Sequence, residues 1–142
     1  MGSESVGSPE ERVADAKRVS QRSERQIVEM LPASAVAGVD QIEEGSFLSC
    51  SDGYLWSGNI RATLTRDADA EKLLTDVGKL AGERHYEVNQ DKSADGSLQM
   101  ELVSEQGVQL LATVWDKGKS IDVNSFSACF PMPDDWVPPV RY

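Results

Sequence analysis

Two cysteines, Cys50 and Cys129, constrain this chain more than any other feature. Cys50 lies in Ser46-Phe47-Leu48-Ser49-Cys50-Ser51-Asp52-Gly53-Tyr54-Leu55-Trp56, a turn-bearing stretch that leads into the first good strand pattern. Cys129 lies in Ser127-Ala128-Cys129-Phe130-Pro131, where the last strand pattern runs out. Because they bracket the strand structure at its two ends, they favour a structural disulfide over two buried thiols acting as small hydrophobes. Such a bridge closes a loop worth about 4.5 kcal/mol in the chain-entropy picture. Nothing near Cys50 suggests a reactive thiol: no histidine, no clustered cations and no second cysteine at CxxC spacing accompany it.

The pattern around this pair reads as one domain. Ser8-Pro9-Glu10-Glu11 is a helix start, with Ser8 as cap, Pro9 at the first helical position and Glu11 completing an S-x-x-E box. The helix is expected to reach Leu31 and stop at Pro32, with a thin apolar face and only its C-terminal third docked. Residues 32–45 read as a small-residue connector ending in Glu43-Glu44-Gly45. In the first strand Tyr54, Trp56, Gly58, Ile60, Ala62 and Leu64 share a face. A second helix follows, capped by Asp67 and ended by Gly82, with Leu73, Leu74, Val77 and Ala81 at helical spacing.

Four more strand patterns come next, around Tyr86/Val88, Leu98–Leu102, Val108–Val114 and Ile121/Val123, separated by turn residues. Short turns make them an antiparallel meander. If Cys50 and Cys129 bond, the first and fifth strands become antiparallel neighbours, so the order is 1-5-4-3-2. The expected fold class is α+β: a two-layer α/β sandwich of order α-β-α-β-β-β-β, with an antiparallel five-stranded sheet and both helices on one face. Residues 1–8 are expected to be a tether or vector-derived tail, 9–130 the domain, and 131–142 a Pro-rich tail lying extended over the surface.

A net charge of −10 opposes binding to nucleic acid, which needs clustered cations, and to anionic lipid surfaces. No apolar run approaches the ~20 residues of a membrane-spanning helix, and no signal-peptide core follows Met1. Candidate catalytic chemistry is thin. Asp91-Lys92-Ser93-Ala94-Asp95-Gly96 opens like a calcium loop, but position twelve is Leu102 where that loop needs Glu, so a hairpin turn explains it better. His85 is the only histidine and reads as a solvated residue at a strand start, too isolated for zinc. The pairs Glu43/Glu44, Asp67/Asp69 and Asp134/Asp135 sit in polar turns or a cap, not in a cleft. No catalytic, cofactor-binding or metal-binding residues are therefore assigned.

The face without helices should be polar, carrying Asn59, Arg61, Thr63, Glu87, Asn89, Gln99, Glu101, Thr113, Asp122 and Asn124. Leu111 and Trp115 depart from that rule. Either the Pro-rich tail covers them, or they form a partner surface, with Trp136 as a further candidate.

The leading helix, Phe47-Leu48-Ser49-Cys50, the Trp-bearing strand, the helix, the meander, Ser127-Ala128-Cys129-Phe130 and the Pro-rich tail together resemble small actinobacterial lipoproteins of the LppA-like kind. The resemblance spans roughly residues 10–140 in organisation, and its specific anchors are the two cysteines and the Cys-Phe step. It implies a secreted, lipid-anchored domain outside the plasma membrane, attached through an anchor absent from this sequence. The expected function is non-enzymatic binding of an unknown protein or small ligand. The alternatives are a small carboxylate-based hydrolase, or an intracellular adaptor with reduced cysteines.

Overall fold

The computed structural model describes residues 7–142, so most of the expected tether lies outside the described residues. The first helix, α1, spans Pro9–Glu29. Its start is the predicted capping box: the Glu11 N–H donates to Ser8 Oγ at 3.2 Å, and the Ser8 N–H donates to Glu11 Oε1 at 2.7 Å. The strands are β1 (Val36–Gln41), β2 (Ser46–Cys50), β3 (Gly53–Leu64), β4 (Glu87–Lys92), β5 (Leu98–Val103), β6 (Gln109–Trp115), β7 (Ser120–Phe126) and β8 (Phe130–Pro131). The second helix, α2 (Ala70–Glu83), lies between β3 and β4.

All eight strands form one antiparallel sheet of order β1-β3-β7-β6-β5-β4, with β2 and β8 both adding to β3. Inside it, β3-β7-β6-β5-β4 follow the order expected of the five strands. Among the described residues the count is corrected from five to eight. The residues read as a connector hold β1, which pairs residues 60–64 of β3, while β2 pairs residues 53–57 of the same strand. Pattern reading misses β1 because Ala37, Gly38, Val39 and Asp40 are all exposed, so no inside–outside alternation marks them.

Both helices cover one face, as expected. Ile27 and Val28 of α1, Leu74, Val77 and Ala81 of α2, and Ile60, Ala62, Leu102, Leu110 and Val123 of the sheet share one core. Each large aliphatic side chain buried there contributes about 1.5–3 kcal/mol. The ends of α2 differ from expectation by a few residues. Asp69, not Asp67, is the cap, its Oδ1 accepting from the Lys72 N–H at 3.1 Å. The helix runs past Gly82, and the chain turns at His85 (φ 71°), a left-handed turn residue rather than the start of a strand.

Docking of α1 also differs. Its middle is buried as well as its end, and that middle is polar: Ser20, Ser23 and Glu24. Gly58 and Ser125 lie opposite one another on β3 and β7, and their small size lets the helix approach. A Cβ on Gly58 would stand 2.8 Å from Glu24 Oε2 and 2.3 Å from the Trp56 ring.

Cys50 and Cys129 are disulfide-bonded, with Cα atoms 6.1 Å apart. Cys50 closes β2 opposite Gly53, and Cys129 precedes Phe130, which lies opposite Tyr54. The bridge thus spans the first residues of β3, tying the strand segments on either side of it. Gly53 is required there: an added Cβ would stand 2.0 Å from the Phe130 carbonyl oxygen. Gly53→Ala is expected to cost about 1–3 kcal/mol by overpacking. Gly38→Ala, with nothing within 4 Å of the added carbon, serves as its near-neutral control in urea unfolding.

The C-terminal residues do not cover Trp115 and Leu111. They fold back beside β2 on the helix-bearing side, where Trp136 packs against Phe47 and Tyr54 at ring separations of 5.4 and 5.0 Å. Tyr142 packs on Phe47 at 5.6 Å, exchanges backbone hydrogen bonds with Gly45, and accepts one from Trp56 Nε1 at 3.0 Å. Contacts of those two rings set the path of the Pro-rich segment.

Candidate functional site

Along β3, alternation sends odd-numbered side chains away from the helices, and β7 and β6 supply the matching rows. Arg61 lies opposite Asp122, Asn59 opposite Asn124, and Trp115 opposite Ser120. The register builds a fixed polar cluster. Arg61 Nε donates to Asp122 Oδ1 at 2.9 Å, and Asn59 Nδ2 donates to both Asp122 oxygens at 3.2 Å and to Asn124 Oδ1 at 2.8 Å. The Arg61 guanidinium also stands over the Trp115 ring, 5.5 Å from its centroid.

Asp122 is only 8% exposed, whereas Trp115 is 47% exposed and Leu111 is half-buried beside the cluster. The cation–π contact contributes about 0.5–1 kcal/mol, and the partly exposed ion pair a similar amount. Their larger effect is to hold a ring, a guanidinium and two amides in one arrangement. Elsewhere on this face Gln109 donates to Glu101. Asp40, opposite Arg61, and Glu87, opposite Val103, add acid.

A notch of about 770 Å³ adjoins the cluster and shares Asn59 and Asn124 with it. It opens where the chain leaves β1 and starts β2, bounded by Glu43, Glu44, Ser46 and Arg141. The sequence offered no signal for this notch, because it exists only when β1 and β2 both pair with β3. A larger groove, about 890 Å³, lies at the other end of β3 near the start of α2. Arg66, Lys117 and Lys119 line it together with Asp69, Glu71 and Asp95, so its charges are mixed.

Among the sequence candidates, Leu111 and Trp115 lie on the same open face, and Trp136 lies apart, inside the aromatic cluster. The Asp91–Gly96 segment spans the end of β4 and its turn into β5. Asp95 accepts from the Ser93 hydroxyl and the Ser97 N–H, which pull its carboxyl down to about 2. Gly96 adopts φ 87° there. Among the described residues no cluster of three His, Cys, Asp or Glu side chains could hold a metal ion, and no helix is long and apolar enough to cross a membrane.

No protein-family model matches the chain, and no curated protein does. A solved structure does: the crystal structure of a DUF4853 family protein from Actinomyces odontolyticus, with a TM-score of 0.50 and 21% sequence identity. The match covers 85% of this chain and 76% of that one. The chain thus shares its α+β fold with an actinobacterial domain of unknown function.

Proposed function

We propose that this chain is the extracytoplasmic domain of an envelope-anchored lipoprotein of the LppA-like kind, and that it binds a partner without transforming it. The observation that carries the binding role is the open face, where a half-exposed Trp115 is braced by Arg61 inside a prearranged Asn59–Asp122–Asn124 network. Fixed donors, acceptors and an aromatic surface lower the ordering cost of binding. The acidic excess around them suits a neutral polar or cationic partner. The Cys50–Cys129 bond supports an oxidising compartment and counts against an intracellular adaptor with reduced thiols.

A thermal-shift screen against neutral oligosaccharides and cationic peptides tests the binding role, with wild type and Trp115→Ala compared throughout. Trp115→Ala alone is expected to change stability by less than about 1 kcal/mol, since it removes an exposed cation–π contact. A compound that stabilises wild type and leaves the variant unmoved supports the reading. Equal stabilisation of both, or turnover of a panel compound, overturns it. Alkylation of unreduced, denatured protein taken from its native host tests the compartment: uptake of two alkyl groups defeats the extracytoplasmic assignment.

A further inference from the structure

Strand register assigns the charges of the open face. Residues opposite one another in an antiparallel sheet point to the same side, so the row through Arg61 runs Asp40, Arg61, Asp122, Thr113, Gln99 and Asp91. The next row sets Glu101 between Leu111 and Asn89, and the one beyond it ends at Glu87. Among the described residues the strands thus direct five carboxylates to this face, those of Asp40, Glu87, Asp91, Glu101 and Asp122, against the one cation of Arg61.

That cation is already committed. Asp122 holds it at 2.9 Å, and Asp40 lies opposite it on β1. Glu87, Asp91 and Glu101, on β4 and β5, form no ion pair among the described residues. Glu87 and Asp91 are exposed and Glu101 is half-buried. Lys117 and Lys119, at the turn after β6, lie in the groove beside α2. One side of the open face is therefore an uncompensated acidic strip, and charge complementarity calls for a cationic occupant.

The spacing of the strip says what kind of cation. Glu101 is opposite Asn89, so Glu87 and Asp91 are its two diagonal neighbours, ~7–8 Å away in each direction. The three carboxylates are too far apart to share a metal ion. Alternate side chains of an extended peptide, ~6.5–7 Å apart, match the step from Glu87 to Glu101 to Asp91. One row further, on the neighbouring strand β6, stands the half-exposed Trp115. Leu111, beside Glu101, offers apolar surface to the methylene stem of a Lys or Arg.

We propose that the partner of this face is a basic polypeptide segment lying extended along β5. Three alternate Lys or Arg side chains meet Glu87, Glu101 and Asp91, and the next alternate residue, apolar, packs on Trp115. The inference rests on the binding role proposed above and narrows the partner from neutral or cationic to cationic.

Calorimetric titration with the peptide Lys-Thr-Lys-Thr-Lys-Thr-Leu tests it, beside its neutral counterpart Gln-Thr-Gln-Thr-Gln-Thr-Leu and a neutral glucose hexasaccharide. The basic peptide is expected to bind wild type more tightly than either neutral probe, and more weakly as salt is raised. Glu87→Gln, Asp91→Asn and Glu101→Gln combined should weaken it about tenfold while keeping the wild-type circular dichroism. Trp115→Ala should weaken it as well. Glu10→Gln, Glu29→Gln and Glu83→Gln combined remove the same charge from exposed helix positions and should change binding by less than about twofold. Equal weakening by the two triple variants overturns the proposal, because the peptide then answers to net charge and not to this face. A neutral probe that binds more tightly than the basic peptide, and loses affinity in Trp115→Ala, overturns the cationic partner and leaves the binding role standing. Absence of binding by all three probes overturns both.

Discussion

Replacing Cys50 and Cys129 together by alanine is expected to cost about 4 kcal/mol of stability, because the bridge joins residues 79 apart and loops of that length carry a large closure entropy. For a domain of this size the midpoint of thermal unfolding should fall by roughly 10–15 °C. The oxidised protein should also show a smaller urea dependence than the variant, since the cross-linked unfolded chain exposes less surface. The loss should be uneven across the fold. The segments at risk are β2 and β8, which among the described residues pair only with β3. Hydrogen exchange in the variant should therefore rise first at Ser49–Tyr54, before the β5–β6–β7 meander. A cost below about 1 kcal/mol would mean that the Phe47, Tyr54, Phe130 and Trp136 rings hold this corner unaided.

The same corner separates what the residues announce from what they conceal. The strands β3, β5, β6 and β7 were legible because each buries one face, and burial on one side of a pleat forces alternation. The order of those strands followed from placing the cysteine-bearing ends together. The open polar face was legible for the same reason, down to the Arg61, Asp122 and Asn124 rows. β1 was not, because an edge strand exposed on both sides leaves no periodic trace. The path of the C-terminal segment was equally hidden, since proline content describes local conformation and not which rings Trp136 and Tyr142 will meet. The notch beside Asn59 inherits the obscurity of β1 and β2. Glu24 was hidden for another reason. Between Arg22 and Arg25 it reads as one more solvated charge, and only the pairing of Gly58 with Ser125 reveals the space it enters.

Glu24 gives the second large effect. Its side chain is fully buried, accepting from Gln41 Nε2 at 2.9 Å and from the Ser125 hydroxyl. Burial holds its carboxyl above the usual value of 4.5, and the bonds from Ser125 and Gln41 and the charge of Arg25 offset this only in part. The folded state therefore binds the Glu24 proton more tightly than the unfolded chain. Its contribution is fully present below 4.5 and is lost as pH rises toward the folded-state value. Glu24→Ala is expected to cost about 3 kcal/mol at neutral pH, since it opens a cavity and leaves one Gln41 amide N–H and the Ser125 hydroxyl without their acceptor. Glu24→Gln keeps the shape and both hydrogen-bond positions, with its amide donating to Ser125, and carries no charge to desolvate. It should be more stable than wild type at pH 8, and that advantage should shrink as the pH is lowered toward 4.5. Unfolding free energies of the two proteins measured from pH 4 to pH 8 isolate Glu24 from the other carboxylates, because the rest cancel in the difference. A difference that stays flat over that range would mean that Glu24 is ionised as easily inside the fold as in the open chain.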